Sequence, residues 1–397
     1  MTADSNAFLR VKLGTGPQAD VSAQVISVDV QDEDRGTDKA TVVMGDQAHA
    51  NADAIREGTE CRIEMGWEGE NALLFVGRIQ KVISTTPSGG SVIGKLTFTV
   101  LDPSILMQKR PEKPNRPHVG TLKSILEAIA KPYDIPIGAV LIDPMPEWPK
   151  DDPLLQETKT DWQMIQDLAE EHRARAFVEV NSTPADTPEQ RAAGGLARLY
   201  FVSEANILAQ EPLGTLTYCR GYSSLIEFKL QKIGSGAAPS ARLAGVDAVT
   251  GAIVAESAAP HAPDAPAALG VNQVEGMEAA IGAGRAAGAA AAIDFANTQP
   301  VTPSSTRPLT DIAGTPSDPA RNRRLVMQDP TRTLGLHGQG LAMGTIFLRA
   351  KGSVEIGGLS SAASGKWYIK RVNHIFEREG TGTALRKTYR TKFEATR

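Results

Sequence analysis

Residues 58–101 align without a gap on residues 351–394, at a constant offset of 293 (356 − 63). The match is one of pattern more than identity. Cys61 and Ile63 face Val354 and Ile356, and Leu74, Phe75, Val76 and Ile79 face Trp367, Tyr368, Ile369 and Val372. Arg78 and Arg371 are identical, Val82 and Ile83 face Ile375 and Phe376, Gly89 meets Gly382, and Val100 meets Phe393. In both copies short apolar alternations are broken by Gly-rich turns, the pattern of half-buried antiparallel strands. The alternative is the general likeness of one β hairpin to another. Read as a duplication, the repeat puts one similar β unit near each end of the chain. That points to a scaffold whose function is symmetry, away from an enzyme built around one cleft.

The sequence between and around the copies divides the chain. Residues 1–104 read as a first small β-barrel domain, with strand patterns at Phe8–Leu13, Ile26–Val30, Ala40–Met44, Cys61–Met65, Leu73–Ser84 and Lys95–Leu101. The run Asp32-Glu33-Asp34-Arg35-Gly36 reads as a solvated acidic turn. Residues 105–206 read as an α+β domain. One helix fits Thr121–Lys131, with Leu122, Ile125, Leu126, Ile129 and Ala130 on one face; a second fits Asp161–His172, behind a Thr160-x-x-Gln163 capping box. Strands fit Ala176–Val180 and Arg198–Val202. The β pattern returns in 207–239 and 326–397, a second barrel domain. An insertion at 240–325, rich in Ala, Pro and Gly, splits it and carries a hairpin pattern at Val246–Glu256 and an Ala-rich helix pattern around Met277–Asn297. The fold class expected is mainly β with α+β: two similar small β-barrel domains flanking an α+β domain.

Chemistry-bearing motifs are sparse. Six histidines are scattered without metal-ligand spacing, and neither a nucleophile elbow nor a Walker A loop is present. Gly282, Gly284 and Gly288 lack the preceding strand that a dinucleotide fingerprint needs. Asp29, Asp32, Glu33 and Asp34 do not match a calcium loop. No catalytic, cofactor-binding or metal-binding residue is therefore assigned. Cys61 and Cys219 make no disulfide framework, and Cys61 lies on an apolar strand phase. They fit folding in a reducing cytoplasm. The net charge of −4 argues against nucleic-acid recognition, and no apolar run reaches the length of a membrane span. Charge is uneven, however: Lys366–Arg397 holds nine Lys/Arg against three Glu. That basic edge either meets an acidic neighbour or bulk anions, or is a solvated strand face.

Two phrases carry a resemblance. They are Thr160-Asp161-Trp162-Gln163-Met164-Ile165-Gln166-Asp167-Leu168-Ala169-Glu170-Glu171 and Gly365-Lys366-Trp367-Tyr368-Ile369-Lys370-Arg371-Val372-Asn373-His374. With the order of parts, they make the chain resemble the baseplate hub proteins of contractile phage tails and related injection systems, the late-control D proteins and the N-terminal half of the VgrG spike proteins. The resemblance implies a homotrimer, in which two barrels per chain give six quasi-equivalent barrels (3 × 2) that join a threefold spike to a sixfold tail tube. It implies a virion baseplate or injection particle assembled in the bacterial cytoplasm, with the spike, the tube and other baseplate proteins as partners. The chain stops directly after the second β unit, so the spike is expected as a separate polypeptide. Arg78 and Arg371 become candidates for symmetric contacts between chains; the alternative is that each caps a strand face. Two other classes remain beside the hub: a tail-tip peptidoglycan-degrading enzyme, favoured by a cleft with two carboxyls of separated pKa, and a carbohydrate-binding adhesion module, which needs exposed aromatics.

Overall fold

A computed structural model describes residues 6–14, 19–47, 51–52, 54–86, 93–108, 115–172, 174–180, 197–218, 223–232, 241–246, 253–258, 336–360, 363–379 and 386–397. The architecture is mainly β. The first strands are β1 (Ala7–Leu13), β2 (Ala19–Asp20), β3 (Val25–Glu33), β4 (Lys39–Gln47), β5 (Glu60–Trp67), β6 (Glu70–Thr85) and β7 (Ile93–Leu101). Most follow the alternation that half-burial demands. In β1, Ala7, Leu9, Val11 and Leu13 are buried while the residues between them are partly exposed. In β6 the alternation fails, because Ala72 to Gly77 are all buried. Both faces of that stretch are covered. Leu74, Phe75 and Ile79 enter the core of the N-terminal strands, whereas Leu73 and Val76 enter a second core formed by the helices.

The middle of the chain holds β8 (Pro117–His118), β9 (Gly120–Thr121), α1 (Leu122–Ala130), β10 (Ile137–Leu141), β11 (Glu147–Trp148), β12 (Leu154–Leu155), α2 (Asp161–Glu171), β13 (Ala174–Glu179), β14 (Arg198–Ser203) and α3 (Glu204–Ala209). Both expected helices form where the apolar stripe and caps place them. Leu122, Ile125, Leu126, Ile129 and Ala130 are buried, and the Thr160–Gln163 capping box closes in both directions. The sheet order is β10-β14-β13. Three features are not signalled by sequence pattern. β10 runs parallel to β14; the two-residue pairs β8–β12 and β9–β11 are too short to show alternation; and α3 is a single short helix behind the Ser203 cap.

The last strands are β15 (Thr215–Thr217), β16 (Leu225–Lys232), β17 (Ala241–Val246), β18 (Ile253–Ala258), β19 (Leu336–Met343), β20 (Ser353–Gly357), β21 (Gly365–Glu379) and β22 (Arg386–Thr396). β17 and β18 pair as a hairpin, but its first strand lies N-terminal to the pattern: it ends at Val246, where the expected Val246–Glu256 hairpin begins. The Ala-rich stretch around Met277–Asn297 lies outside the described residues. β16 pairs with β19 across the intervening sequence. The strand order β16-β19-β22-β21-β20-β15 matches β3-β4-β7-β6-β5-β1 strand for strand. Arg78 and Ile79 pair with Leu101 and Val100; Arg371 and Val372 pair with Glu394 and Phe393, each exactly 293 positions on (371 − 78, 394 − 101).

The ungapped correspondence slips in two places. Past the bulge at Gln80 on β6, Val82 pairs with Phe98 and His374 with Thr391, so Val82 matches His374 and Ile83 matches Ile375, an offset of 292 (374 − 82) that corrects the ungapped facing of Val82 and Ile83 on Ile375 and Phe376. The second slip lies between β5 and β20. Glu64 and Met65 pair with Leu73 and Ala72, while Glu355 and Ile356 pair with Lys366 and Gly365. Met65, not Ile63, therefore matches Ile356 (356 − 65 = 291). The connection after β20, residues 358–364, is longer than the turn at 68–69, and it takes up the difference. The parallel pairing of β15 with β20, against the antiparallel β1–β5, is a further departure.

The two halves are not separate sheets. β21 also pairs with β3, from Arg371–Glu33 to Glu377–Ser27, so one 13-stranded sheet runs through both. Phe376, Tyr389 and Ile346 reach into the core of the N-terminal strands. Trp67 Nε1 donates to Gly344 O across the same boundary at 2.8 Å.

Trp367 is fully buried in the core of the C-terminal strands. Replacing it with Ala should cost about 3–5 kcal/mol in denaturant unfolding, whereas Tyr218→Ala, at an exposed edge position, should stay within about 0.5 kcal/mol.

Candidate functional site

β3 ends in acidic residues, and a basic segment packs against it. Lys351, just before β20, is buried and has a left-handed backbone, φ 63°. Its ammonium donates to Asp32 Oδ1 at 2.5 Å, to Glu33 O at 2.8 Å and to Asp38 Oδ2 at 3.3 Å, and lies 5.0 Å from the Phe177 ring centroid. Asp32 Oδ2 accepts from Ala350 N, and Asp38 Oδ1 from Glu33 N. Asp38 N donates to Asp102 Oδ2 at 2.5 Å, and Asp102 Oδ1 accepts from Ser104 N. Arg349 donates to Leu74 O at 2.8 Å and stands 3.8 Å from Glu179 on β13. A small cavity opens among Asp32, Asp38, Asp102, Glu179 and Arg349. The cluster thus fastens together the N-terminal strands, the helix-bearing middle and the C-terminal strands.

Four carboxyls share this seam with two cations, which divides their titration. Burial raises the Asp32 pKa, but the charges of Lys351 and Arg349 outweigh it and hold it below the usual carboxylate value. Burial pushes Asp102 up to about 6 despite its hydrogen bonds from Ser104 and Asp38. Asp38 and Glu179 are raised too, by burial and then by neighbouring carboxylates (Lys351 pulls Asp38 the other way). Asp32 and Asp102 therefore have the separated pKa values that would favour acid–base chemistry. Their burial and their bonds to Lys351 and the backbone make them fasteners within the fold instead; Asp32 is only 2% exposed.

This corrects the sequence expectation for the acidic run. Asp32 is not in a solvated turn, and the four acids each meet another part of the chain. Asp29 accepts from Asn373, Asp32 from Lys351 and Glu33 from Arg371, and Asp34 lies 3.7 Å from Arg175. Within the basic stretch Lys366–Arg397, Arg371 thus has an acidic neighbour, Glu33, inside the same chain.

The two sequence phrases resolve into the same kind of fastening. Asp161, at the start of α2, accepts from Arg116 and Gln156 on Oδ1 and from the Tyr133 hydroxyl on Oδ2. In the second phrase, Lys366 donates to Leu208 O in the last turn of α3 and to Gln210 O just beyond it, and Trp367 Nε1 donates to Ala363 O. His374 is enclosed, with Nδ1 2.8 Å from the Tyr389 hydroxyl and Nε2 3.0 Å from Leu348 O. Burial, then the Arg349 charge, lowers its pKa to about 3, so it sits neutral.

Arg78 and Arg371 occupy equivalent ladder positions with different partners. Arg78 donates to Gly58 O. Arg371 forms an ion pair with Glu33 across the β21–β3 junction. Among the described residues several strand edges lack a pairing partner, those of β2 and β15 included; two that bear on the repeat are β16, at one end of the sheet, and the distal part of β6 beyond Ile79. Ile226 and Ile83 stand exposed on them. Among the described residues no group of three or more His, Cys, Asp or Glu could hold a metal ion, and no helix is long and apolar enough to cross a membrane.

No family model and no curated protein matches the sequence. Solved structures match over nearly the whole chain. A tail protein from Neisseria meningitidis MC58 is 10% identical with a TM-score of 0.60, covering 99% of this chain and 97% of its own. The 43 kDa tail protein of prophage MuSo2 from Shewanella oneidensis is also 10% identical with a TM-score of 0.60, covering 98% of each chain. An E. coli component of the type VI secretion system, described as structurally similar to T4 bacteriophage tail proteins, is 10% identical with a TM-score of 0.52, over 94% of this chain and 73% of that one. The chain has the fold of phage tail and injection-system proteins.

Two measurements probe the seam. Lys351→Met leaves buried carboxylates without their cation and should destabilise by about 3–5 kcal/mol. His374→Gln tests a titration of known sign. A histidine whose pKa falls on folding stabilises above its unfolded value of 6.5 and loses that contribution as pH drops toward its folded value of about 3. The penalty of His374→Gln at pH 7 should therefore shrink below pH 6, by up to about 1.4 kcal/mol per pH unit. A pH-independent penalty would show that His374 protonates as freely in the folded state as in the unfolded one.

Proposed function

We propose that this chain is the structural baseplate hub of a contractile tail or injection particle. It acts as a homotrimer that adapts a threefold spike to a sixfold tail tube. The observation that carries the reading is the internal repeat. Two six-stranded arrangements with the same order lie in one chain and join through one sheet. Three such chains present six similar units, which is how a threefold object can meet a sixfold one. The fold shared with tail proteins and a type VI secretion component supports the setting.

In this reading each half closes as a small barrel, 1–104 and 207–239 with 326–397, while 105–206 forms the flanking domain and 240–325 an insertion. Assembly works through free strand edges, which favour extension of a sheet from chain to chain. Arg78 and Arg371 stand at related positions on the ring, one near an edge and one at the internal junction. The partners are a separate spike protein, the tube protein above and other baseplate proteins. The particle forms in the bacterial cytoplasm and is carried in the virion tail. The role is mechanical, and the charged seam holds the units as one body during contraction.

Light scattering tests the stoichiometry. The chain mass is 42.2 kDa, so a closed trimer should scatter near ~127 kDa. A monomer at high concentration, unchanged by a candidate spike protein, would reject the hub.

A further inference from the structure

The junction inside the chain is a template for the junction between chains. Within the chain, β21 pairs antiparallel with β3. In the matched strand orders β21 corresponds to β6, and β3 corresponds to β16. The internal junction therefore joins one strand of each type, and the chain keeps one more of each with a free side. On β6 the last edge-paired residue is Ile79, which exchanges hydrogen bonds with Gly58 and Thr59. Gln80–Thr85 continue past it, paired only with β7 among the described residues. Among the described residues β16 pairs only with β19.

We propose that a second copy of this chain supplies the missing partner, with the distal part of β6 pairing antiparallel to β16 of the neighbouring copy. This rests on the ring-forming reading above and adds its register. The register follows from cross-strand neighbours, which absorb the local bulges. Val82 pairs with Phe98, and His374 pairs with Thr391, the matching position (391 − 98 = 293). Val30 and Phe228 match in the same way, one facing Ala40 and the other Gly340. The internal pairs His374–Val30 and Ile375–Asp29 thus become Val82–Phe228 and Ile83–Glu227 between copies.

The chemistry fits this register. Val82 is half-buried on the core of the N-terminal strands, and Phe228 is half-buried on the core of the C-terminal strands. Their contact joins the two cores between chains, at the place where His374 and Val30 meet within one. On the other face, Ile83 is 43% exposed and Ile226, the bulged residue next to Glu227, is 46% exposed. Pairing brings the two isoleucines beside each other and removes both from water. Lys81 then lies opposite Lys229, an unfavourable rung, with Glu227 within diagonal reach of Lys81. The two edges differ, so the contact is head-to-tail, and each copy offers both ends to a closed ring.

Oxidative cross-linking reads the register directly. In a Cys219→Ser background, Ile83→Cys with Glu227→Cys should yield covalent trimer as the largest species on a non-reducing gel. The displaced pair Ile83→Cys with Gln231→Cys should stay uncross-linked. Separately, Lys229→Glu should tighten self-association about two- to fivefold, and adding Lys81→Glu should cancel the gain. A trimer by light scattering that cross-links only at the displaced pair, or at neither, overturns the register and leaves the hub standing. A chain that is monomeric by light scattering and uncross-linked overturns both.

Discussion

The buried contact between Lys351 and Asp32 is the constraint on which the rest of this architecture depends. One ammonium joins the end of β3, the turn after it and the segment entering β20, while Arg349 beside it reaches β6 and β13. A buried ion pair gives little net stability against a well-packed apolar substitute, yet removing one partner is costly. Its effect here is to fix position. The cluster ties the segment entering β20 to the end of β3, beside the β21–β3 ladder that makes one sheet of two similar halves. Asp38 and Asp102, whose pKa values burial raises, add a titratable margin to a cation-poor site.

The internal duplication explains why such fastening is needed. Two like units joined by a flexible link would present their edges at variable angles, and a ring requires fixed ones. The β21–β3 ladder, the Arg371–Glu33 pair, the Trp67–Gly344 bond and the shared core at Phe376 and Tyr389 remove that freedom. Free edges of a sheet are hazards for a monomer and joints for an assembly. Two of the free edges, on β6 and β16, belong to the strand types already joined internally, so the proposed assembly would extend the fold.

Much of this was legible in the sequence. The offset of 293 survives in the ladder of Arg78 and Arg371, and α1 and α2 appear with the caps and buried faces their spacing dictates. What was not legible has physical causes. The shift at β5 and β20 arises from a longer connection, which an ungapped comparison cannot register. The full burial of Ala72 to Gly77 reflects a strand covered on both faces, so alternation disappears. β10 was missed because parallel pairing depends on distant strands. The acidic run at 29–34 was read as solvated because local pattern treats a charge as exposed. The long-range partners of Asp29, Asp32 and Glu33 lie more than 300 residues away, and Arg175, beside Asp34, lies in the middle of the chain, out of reach of any local pattern.

The central claim is that two like units per chain close, three chains at a time, into a ring of six. Electron microscopy of the purified protein tests this most directly, alone and with its spike. The account predicts ring-shaped class averages with threefold symmetry and six similar lobes around a central opening. Single compact particles under both conditions, or closed rings with a number of lobes other than six, would contradict it.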